Sequence, residues 1–353
     1  MKKNLLSKNL HQWLFLLVCF VATLPSWAED YTRDGIIYDL NRTAKTATVK
    51  GLKDKSATSV EIRSYAAGCT VTSIGKQAFS YCSSLTSINI PSSVTSIEAY
   101  AFLGCSSLTS IYIPKSVTNI GWGAFSDCSS LTALTIDTNN PQYCAEEYML
   151  FNKEKTTLIG AIGSQKTYDI PSSVTSVGSG AFSRCSSLIS INIPSSVTSI
   201  GIQAFSYCSS LTSINIPNSV TSIGKQAFSY CSSLTSINIP SSVTSIGEGT
   251  FQNCSSLTSI NIPSSVTSIG EYAFSNCNAL KVALIQAYRI KIGWDVFESN
   301  TNVYAVSDNN LEFHLNTNTN YSNISHNHIG GTWYTNGIPK IYDCDGYAIS
   351  SDK

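Results

Sequence analysis

Cysteine, histidine and carboxylate side chains are the groups in this chain that could do chemistry, and their spacing limits each of them. Eight cysteines, Cys82, Cys105, Cys128, Cys185, Cys208, Cys231, Cys254 and Cys277, recur every 23 residues apart from one gap of 57. On stacked coils in register, neighbouring sulfurs would sit about one strand spacing apart, ~4.8 Å. That separation is compatible with disulfides, but stacked side chains point the same way and the bond needs a dihedral near ~90°. Free thiols, some disulfides and metal ligands are therefore three open readings, and buried thiols packing as small hydrophobes fit best. Export would expose them to oxidation, so burial must be what protects them. Cys69, Cys144 and Cys344 lie off this ladder, with no evident partners.

Histidine is nearly absent. The four are His11, His314, His326 and His328, so the repeats contain none and no Ser-His or Cys-His nucleophile pair can form within them. His326-Asn327-His328 offers two alternate nitrogens, but no cysteine or acid lies nearby to complete a metal site. Glu146 and Glu147 are adjacent and would point apart on a strand; Glu98, Glu248 and Glu271 fall at variable turn positions and read as solvated charges. No phosphate-cradling glycine loop is present. We expect no catalytic residues, no metal site and no cofactor.

The elements that position these groups come from one repeat, IPSSVTSIGxxAFSxCSSLTSIN. Its phenylalanines are Phe79, Phe102 and Phe125, then Phe182, Phe205, Phe228, Phe251 and Phe274. In the unit Leu85–Ile90, Leu85, Ile88 and Ile90 follow LxxLxL, and the period-two end suits a short strand with one buried face. Pro91 then ends the strand, because it has no N–H to give. Val94 and Ile97 continue the apolar pattern, Ala101 and Phe102 turn inward, and Cys105 closes the coil. A faded copy at Gly293, Phe297 and Asn300 follows the array, and another precedes it, with Ile62 in the place of Leu85. One unit cannot bury its apolar side chains alone, so neighbours must stack, with their strands in one parallel sheet. The gap from Cys128 to Cys185 holds an enlarged coil, about 137–170. There Asn152-Lys153-Glu154-Lys155 separates two strand-like runs of a small hairpin.

Only 12% of residues are charged while 42% are hydrophobic, so Ser, Thr and Asn carry the polarity and a core is still affordable. Residues 1–28 read as a secretory signal peptide: Lys2, Lys3 and Lys8, an apolar run from Trp13 to Leu24, then Ser26-Trp27-Ala28. Its removal takes away three lysines and no acids, leaving 19 basic against 22 acidic residues, a net charge of −3. Such a surface neutralises few phosphates, which argues against nucleic acid as a partner. No later apolar run is long enough to span a membrane. Residues 29–58, with the runs GIIYDL and TATVKGL, read as an N-terminal cap, 59–307 as the solenoid, and 308–353 as a C-terminal cap or flexible tail.

If Leu85, Ile88 and Ile90 face inward, Ser87 and Asn89 face outward, as do Ser213 and Asn215, and Ser236 and Asn238. This lawn of small polar groups is broken by Tyr112, and by Ala133 with Thr135. Tyr112 is the strongest single candidate for a binding anchor, since aromatic residues are favoured there. Trp122 lies on a second variable track in the turn and should be half-exposed. Tyr81, Tyr207 and Tyr230 form an aromatic set along one edge and should pack over it.

The unit IPSSVTSIGKQAFSYCSSLTSIN resembles the repeat of BspA-like leucine-rich-repeat surface proteins, over roughly residues 60–307 and at least eight copies. The opening DGIIYDLNRTAKTATVKGL and the long coil with NNPQY and MLFNKEKTTLI resemble the same family, although EEYMLF replaces the usual Asp-Gly before the second strand. The resemblance implies a right-handed leucine-rich-repeat solenoid. The fold class expected is thus an α/β-type repeat solenoid dominated by β, with 23-residue coils and a parallel sheet of short strands. It also implies a secreted or cell-surface protein of host-associated microbes that adheres to host matrix or to other cells, and it carries no shared catalytic residues. Host extracellular or cell-surface proteins are the expected partners, with glycans and self-association as further candidates. A structural spacer without a dedicated ligand is the alternative.

Overall fold

A computed structural model describes residues 29–287, 290–298 and 301–305, together with the backbone of two short strands at Ile341–Tyr342 and Ala348–Ile349. The candidate signal at 1–28, the remainder of the 308–353 tail, the four histidines and Cys344 lie outside the described residues.

Each coil carries two short strands rather than one. In a representative coil these are Ser87–Asn89 and Ser96–Ile97. Pro91 ends the first, and the chain turns there, with Val94 N–H donating to the Pro91 carbonyl at 3.0 Å. Both strands pair in parallel with the next coil at the 23-residue step, Ser213 with Ser236 on one side and Ser199 with Ser222 on the other. The single sheet expected from LxxLxL is therefore two parallel ladders. The second was missed because only Ile97 of its strand is apolar, too short a run to show alternation.

No helix forms among the described residues. The segment that returns the chain is held by two interleaved bond sets. The N–H groups of Gln77, Phe79 and Tyr81 donate to the carbonyls of Ala99, Ala101 and Leu103 in the next coil, while those of Ala78 and Ser80 fold back to Gly75 and Gln77. Alternating between neighbour and self forces Gln77 and Tyr81 into the left-handed region, at φ 59° and 58°, which a continuous α-helix excludes.

The core is a column of rings. Phe182, Phe205, Phe228, Phe251, Phe274 and Phe297 stack at 5.0–5.5 Å, each pair within 14° of parallel. Beside it, ladder thiols donate to phenylalanine carbonyls of the preceding coil: Cys208 to Phe182 at 3.1 Å, Cys231 to Phe205 at 3.2 Å and Cys254 to Phe228 at 3.2 Å. The abundant hydroxyls do similar work nearer the surface. Ser219 donates to Val197 O at 2.7 Å, Thr221 to Thr198 O at 3.3 Å and Thr235 to Thr212 O at 3.3 Å. A charge-poor, Ser/Thr-rich repeat is what such carbonyl-to-hydroxyl bonding between coils demands.

At its start the first ladder shifts. Ser59 pairs with Ser87 and Val60 with Ile88, a step of 28, and Ile62 N–H donates to Asn89 O. Ile62 thus stands in the place of Ile90, not of Leu85 as the faded copy suggested. The second ladder keeps the step of 23, Ile74 with Ile97, because the five extra residues are absorbed between Ile62 and Ile74, where Tyr65–Ala66 folds antiparallel onto Cys69–Ile74. Before this coil, strands Glu29–Arg33, Ile36–Asn41 and Thr46–Leu52 run antiparallel, and the third passes into the parallel ladder through Cys69–Ile74. Strands Tyr143–Glu146, Met149–Asn152 and Thr157–Ala161 in the long coil do the same, the last joining Ser176–Val177.

Candidate interaction surface

The Ser/Asn face is positioned by the first ladder. Ser87, Asn89, Ser213, Asn215, Ser236 and Asn238 are all exposed, while the isoleucines between them point to the core. Register fixes them one above another, so the face repeats at the coil step with no formal charge from these residues.

Tyr112 interrupts this face. It pairs in register with Thr135, is 48% exposed, and its hydroxyl donates to Asp137 Oδ2 at 2.6 Å. That bond holds the Asp137 carboxyl below the usual carboxylate range and pushes the Tyr112 phenol up. Tyr112 is therefore a fixed ring rather than a swinging one.

Trp122 belongs to a different face, that of the turns, so the structure does not bring it together with Tyr112. It is 38% exposed and packs on Tyr100 with centroids 4.5 Å apart and planes tilted by 59°. Across the seam between the two halves of the solenoid, Tyr100 reaches over Gly123, and its hydroxyl donates to Gln203 Oε1 at 3.2 Å. Gln203 donates in turn to Gln226 Oε1 at 2.6 Å. The reach is possible because Gly123 and Gly180 stack without side chains between them. Beyond, the Arg184 guanidinium lies 4.4 Å from the ring centre of Tyr207, whose other face stacks on Tyr230 at 4.2 Å. Tyr81 lies over Gly104 and is more than half exposed. Burial pushes the Tyr100 phenol up, against the pull of Arg184 and with a smaller push from Tyr207 and Tyr81. Burial raises Asp127 too, and the charge of Arg184 opposes it.

Tyr100, Arg184 and Gln203 were not singled out from sequence. A signal for them existed. The second residue after the coil glycine and the residue before the cysteine both take positive φ. Some coils place Gly104, Gly123, Gly180, Asn253 and Asn276 there, residues that tolerate it. Tyr81, Tyr100, Arg184, Tyr207 and Tyr230 occupy the same positions at φ 58–64°, against a preference of roughly 1–2 kcal/mol per residue.

Every described cysteine is free; seven of the eight ladder thiols are buried and Cys185 is half-buried. Burial pushes Cys82 up to about 11 and Cys231 to about 12, so these thiols stay protonated and unreactive at neutral pH. Among the described residues no three of His, Cys, Asp and Glu are grouped to hold a metal, and no helix is long and apolar enough to cross a membrane. A cleft of about 440 Å³ opens at the first coil, lined by Asp34, Leu52, Val60, Glu61 and Arg63, with Arg63 Nε bonded to Asp34 at 2.8 Å.

Solved structures of leucine-rich repeat proteins are similar to this chain. A leucine-rich repeat protein of Eubacterium ventriosum is 24% identical, with 86% of this chain and 96% of that chain covered, at a TM-score of 0.58. A leucine-rich cell surface protein of Faecalibacterium prausnitzii is 22% identical over 81% of this chain and 96% of that one, at a TM-score of 0.46. No curated protein matches the chain. The family profile described as a BspA type leucine-rich repeat region, in six copies, matches residues 52–159, 161–281 and 221–329. With most of its length matched, this chain belongs to the BspA-type leucine-rich repeat family.

Proposed function

We propose that the chain is a secreted or cell-surface binding protein that adheres to host matrix proteins or other cells through a repetitive solenoid surface. One observation carries this reading: the exposed Ser/Asn pairs recur in register, coil after coil, on one side of a rigid ladder. Near-identical patches favour a repetitive partner, because weak contacts then add through effective concentration. Tyr112, fixed by Asp137, is an anchor where this pattern breaks, and Trp122 is a second anchor on the separate turn face. Glycans and a second copy of the chain are the other candidate partners. The coils hold no histidine, so no Ser-His or Cys-His nucleophile pair can form within them.

Removing residues 186–277 deletes four whole coils and keeps the register of the rest. Binding of residues 29–353 and of this shortened chain to immobilised matrix proteins and to whole cells tests the reading. Apparent affinity should fall at least tenfold with coil loss, as avidity requires. Unchanged affinity would remove the multivalent mechanism. No binding by a folded full-length chain would favour the structural spacer instead.

A further inference from the structure

We infer that the open edge of strand Ser59–Glu61, at the foot of the first ladder, is a docking slot for an extended, unfolded peptide segment that joins the ladder as one more strand. The slot occurs once per chain and reads main chain, not a folded surface. It lies at the end of the solenoid, apart from the repeated Ser/Asn pairs, so it stands or falls independently of the repetitive-face reading.

The hydrogen-bond phase of the ladder shows which groups the edge offers. Thr58 O accepts Ser87 N–H, and Ile62 N–H donates to Asn89 O, so residues 58, 60 and 62 turn their main chain toward the next coil. Ser59 and Glu61 therefore turn theirs the other way. Among the described residues, strand Ser59–Glu61 pairs with Ser87–Asn89 alone. The N–H and C=O groups of Ser59 and Glu61 thus face outward with no strand against them. The next outward N–H, that of Arg63, is taken by the Tyr38 hydroxyl. An exposed row of main-chain donors and acceptors is a template for another main chain.

The surroundings choose the occupant. On the second ladder, strands Glu29–Arg33, Ile36–Asn41 and Thr46–Leu52 precede Cys69–Ile74, which lies in the same coil as Ser59–Glu61. At ~4.8 Å per strand they stand roughly 14 Å beyond the open edge and wall it on one side. Arg63 Nε, bonded to Asp34 Oδ2 at 2.8 Å, ties the first turn of that wall to the end of the slot. The end of a second solenoid meets the wall before it reaches the edge; a single extended segment does not. Between wall and edge lies the cleft of about 440 Å³, with Leu52, Ala57 and Val60 among its lining. Val60 points inward while Ser59 and Glu61 are exposed. A guest residue opposite Val60 therefore sends its side chain into the cleft, and its two neighbours lie beside Ser59 and Glu61. An apolar residue flanked by basic ones is the pattern this slot fits.

The probe is a fluorescein-labelled peptide amide, Ser-Lys-Val-Lys-Ser, titrated into the full-length chain and followed by fluorescence anisotropy. Saturable binding is expected. Two N-methylated analogues, one blocked at the central valine and one at both lysines, remove alternate main-chain donors. One of them, and not the other, should bind at least tenfold more weakly: the first if the guest runs parallel to Ser59–Glu61, the second if antiparallel. Ser59→Pro removes an outward donor and leaves the bonds to Ser87–Asn89 intact, a change that edge strands tolerate. It should weaken binding at least tenfold, with circular dichroism confirming the fold. Glu61→Lys should turn the preference toward Ser-Glu-Val-Glu-Ser. Deleting residues 186–277 should leave the Kd unchanged, because the slot lies outside them. No saturable binding to the wild-type chain overturns the slot, as does equal binding by the two methylated analogues or unchanged affinity in folded Ser59→Pro. Affinity that falls with the deletion moves the peptide to the repeated face and also overturns it. Should Ser59→Pro fail to fold, the methylated analogues decide, since they leave the protein untouched.

Discussion

The two phenylalanine stacks are made from the same repeat, yet they do not join. Phe79, Phe102 and Phe125 stack at 5.4 and 5.6 Å, and a second column runs from Phe182 to Phe297. Between them the core divides in two. Strand Met149–Asn152 is the partition: Met149 and Phe151 pack into the second core and Leu150 into the first. At the seam Tyr168 meets Phe182 edge-on, at 65° and 5.3 Å, and Ala161 N–H takes the Ala181 carbonyl that a phenylalanine N–H would take elsewhere. Both arrays begin alike. An antiparallel strand pair ends in an asparagine, Asn41 or Asn152, whose Oδ1 accepts backbone N–H groups. A lysine at positive φ follows, Lys45 or Lys155, and the next strand starts the parallel ladder. The long coil is therefore a restart of the solenoid, and the lesson is that a parallel ladder needs an antiparallel hairpin to begin it. The first cysteines differ accordingly: Cys82 is fully buried under the opening strands, whereas Cys185, below the seam, is half-buried.

Phe205→Ala tests the division most strongly. It removes a ring stacked on both sides and should cost roughly 3–5 kcal/mol. Hydrogen exchange followed by mass spectrometry should show lost protection in residues 170–298 and little change in 36–131; equal loss in both would merge the two cores into one cooperative unit. Next in size is Asn140→Ala. Asn140 is buried and bonds Pro114 O, Val117 O and the N–H groups of Gln142 and Tyr143, tying the long coil to the one before it. Stranding these groups should cost on the order of 1–3 kcal/mol and lower the urea midpoint of the first array, where fluorescence of Trp122 reports. The smallest effect separates Cys231 from Cys185. Cys231→Ala loses a bond to Phe205 O and should cost about 1 kcal/mol; Cys185→Ala, with no such bond in the structure, should cost less. The raised thiols also set a pH dependence. Because the folded state holds the proton more tightly, their contribution is fully present below about pH 9, the unfolded value, and is lost as pH rises through about 11 for Cys82 and 12 for Cys231. Denaturation midpoints should therefore hold steady up to about pH 9 and fall between about pH 9 and 12, and thiol alkylation should track unfolding.

The 23-residue period, the inward Phe, Ile, Val and Leu positions, the Pro91 strand end and the hairpin around Asn152 could all be read from the chain, because each is a local rule repeated many times. Ile62 could not be placed, since one extra turn between Ile62 and Ile74 changes the step in one ladder and not in the other. The outward direction of Ser87 and Asn89 follows from strand alternation alone. The sequence by itself determined the coil, the stacking and the absence of histidine chemistry within the repeats. Only the tertiary structure decided that each coil carries two ladders, that the core divides at Met149–Asn152, and that Tyr100 meets Gln203, 103 residues away. The physical reason is that periodicity specifies how a coil packs on an identical neighbour. What happens where the neighbour differs depends on backbone paths and on glycine gaps such as Gly123 and Gly180, which no local pattern encodes.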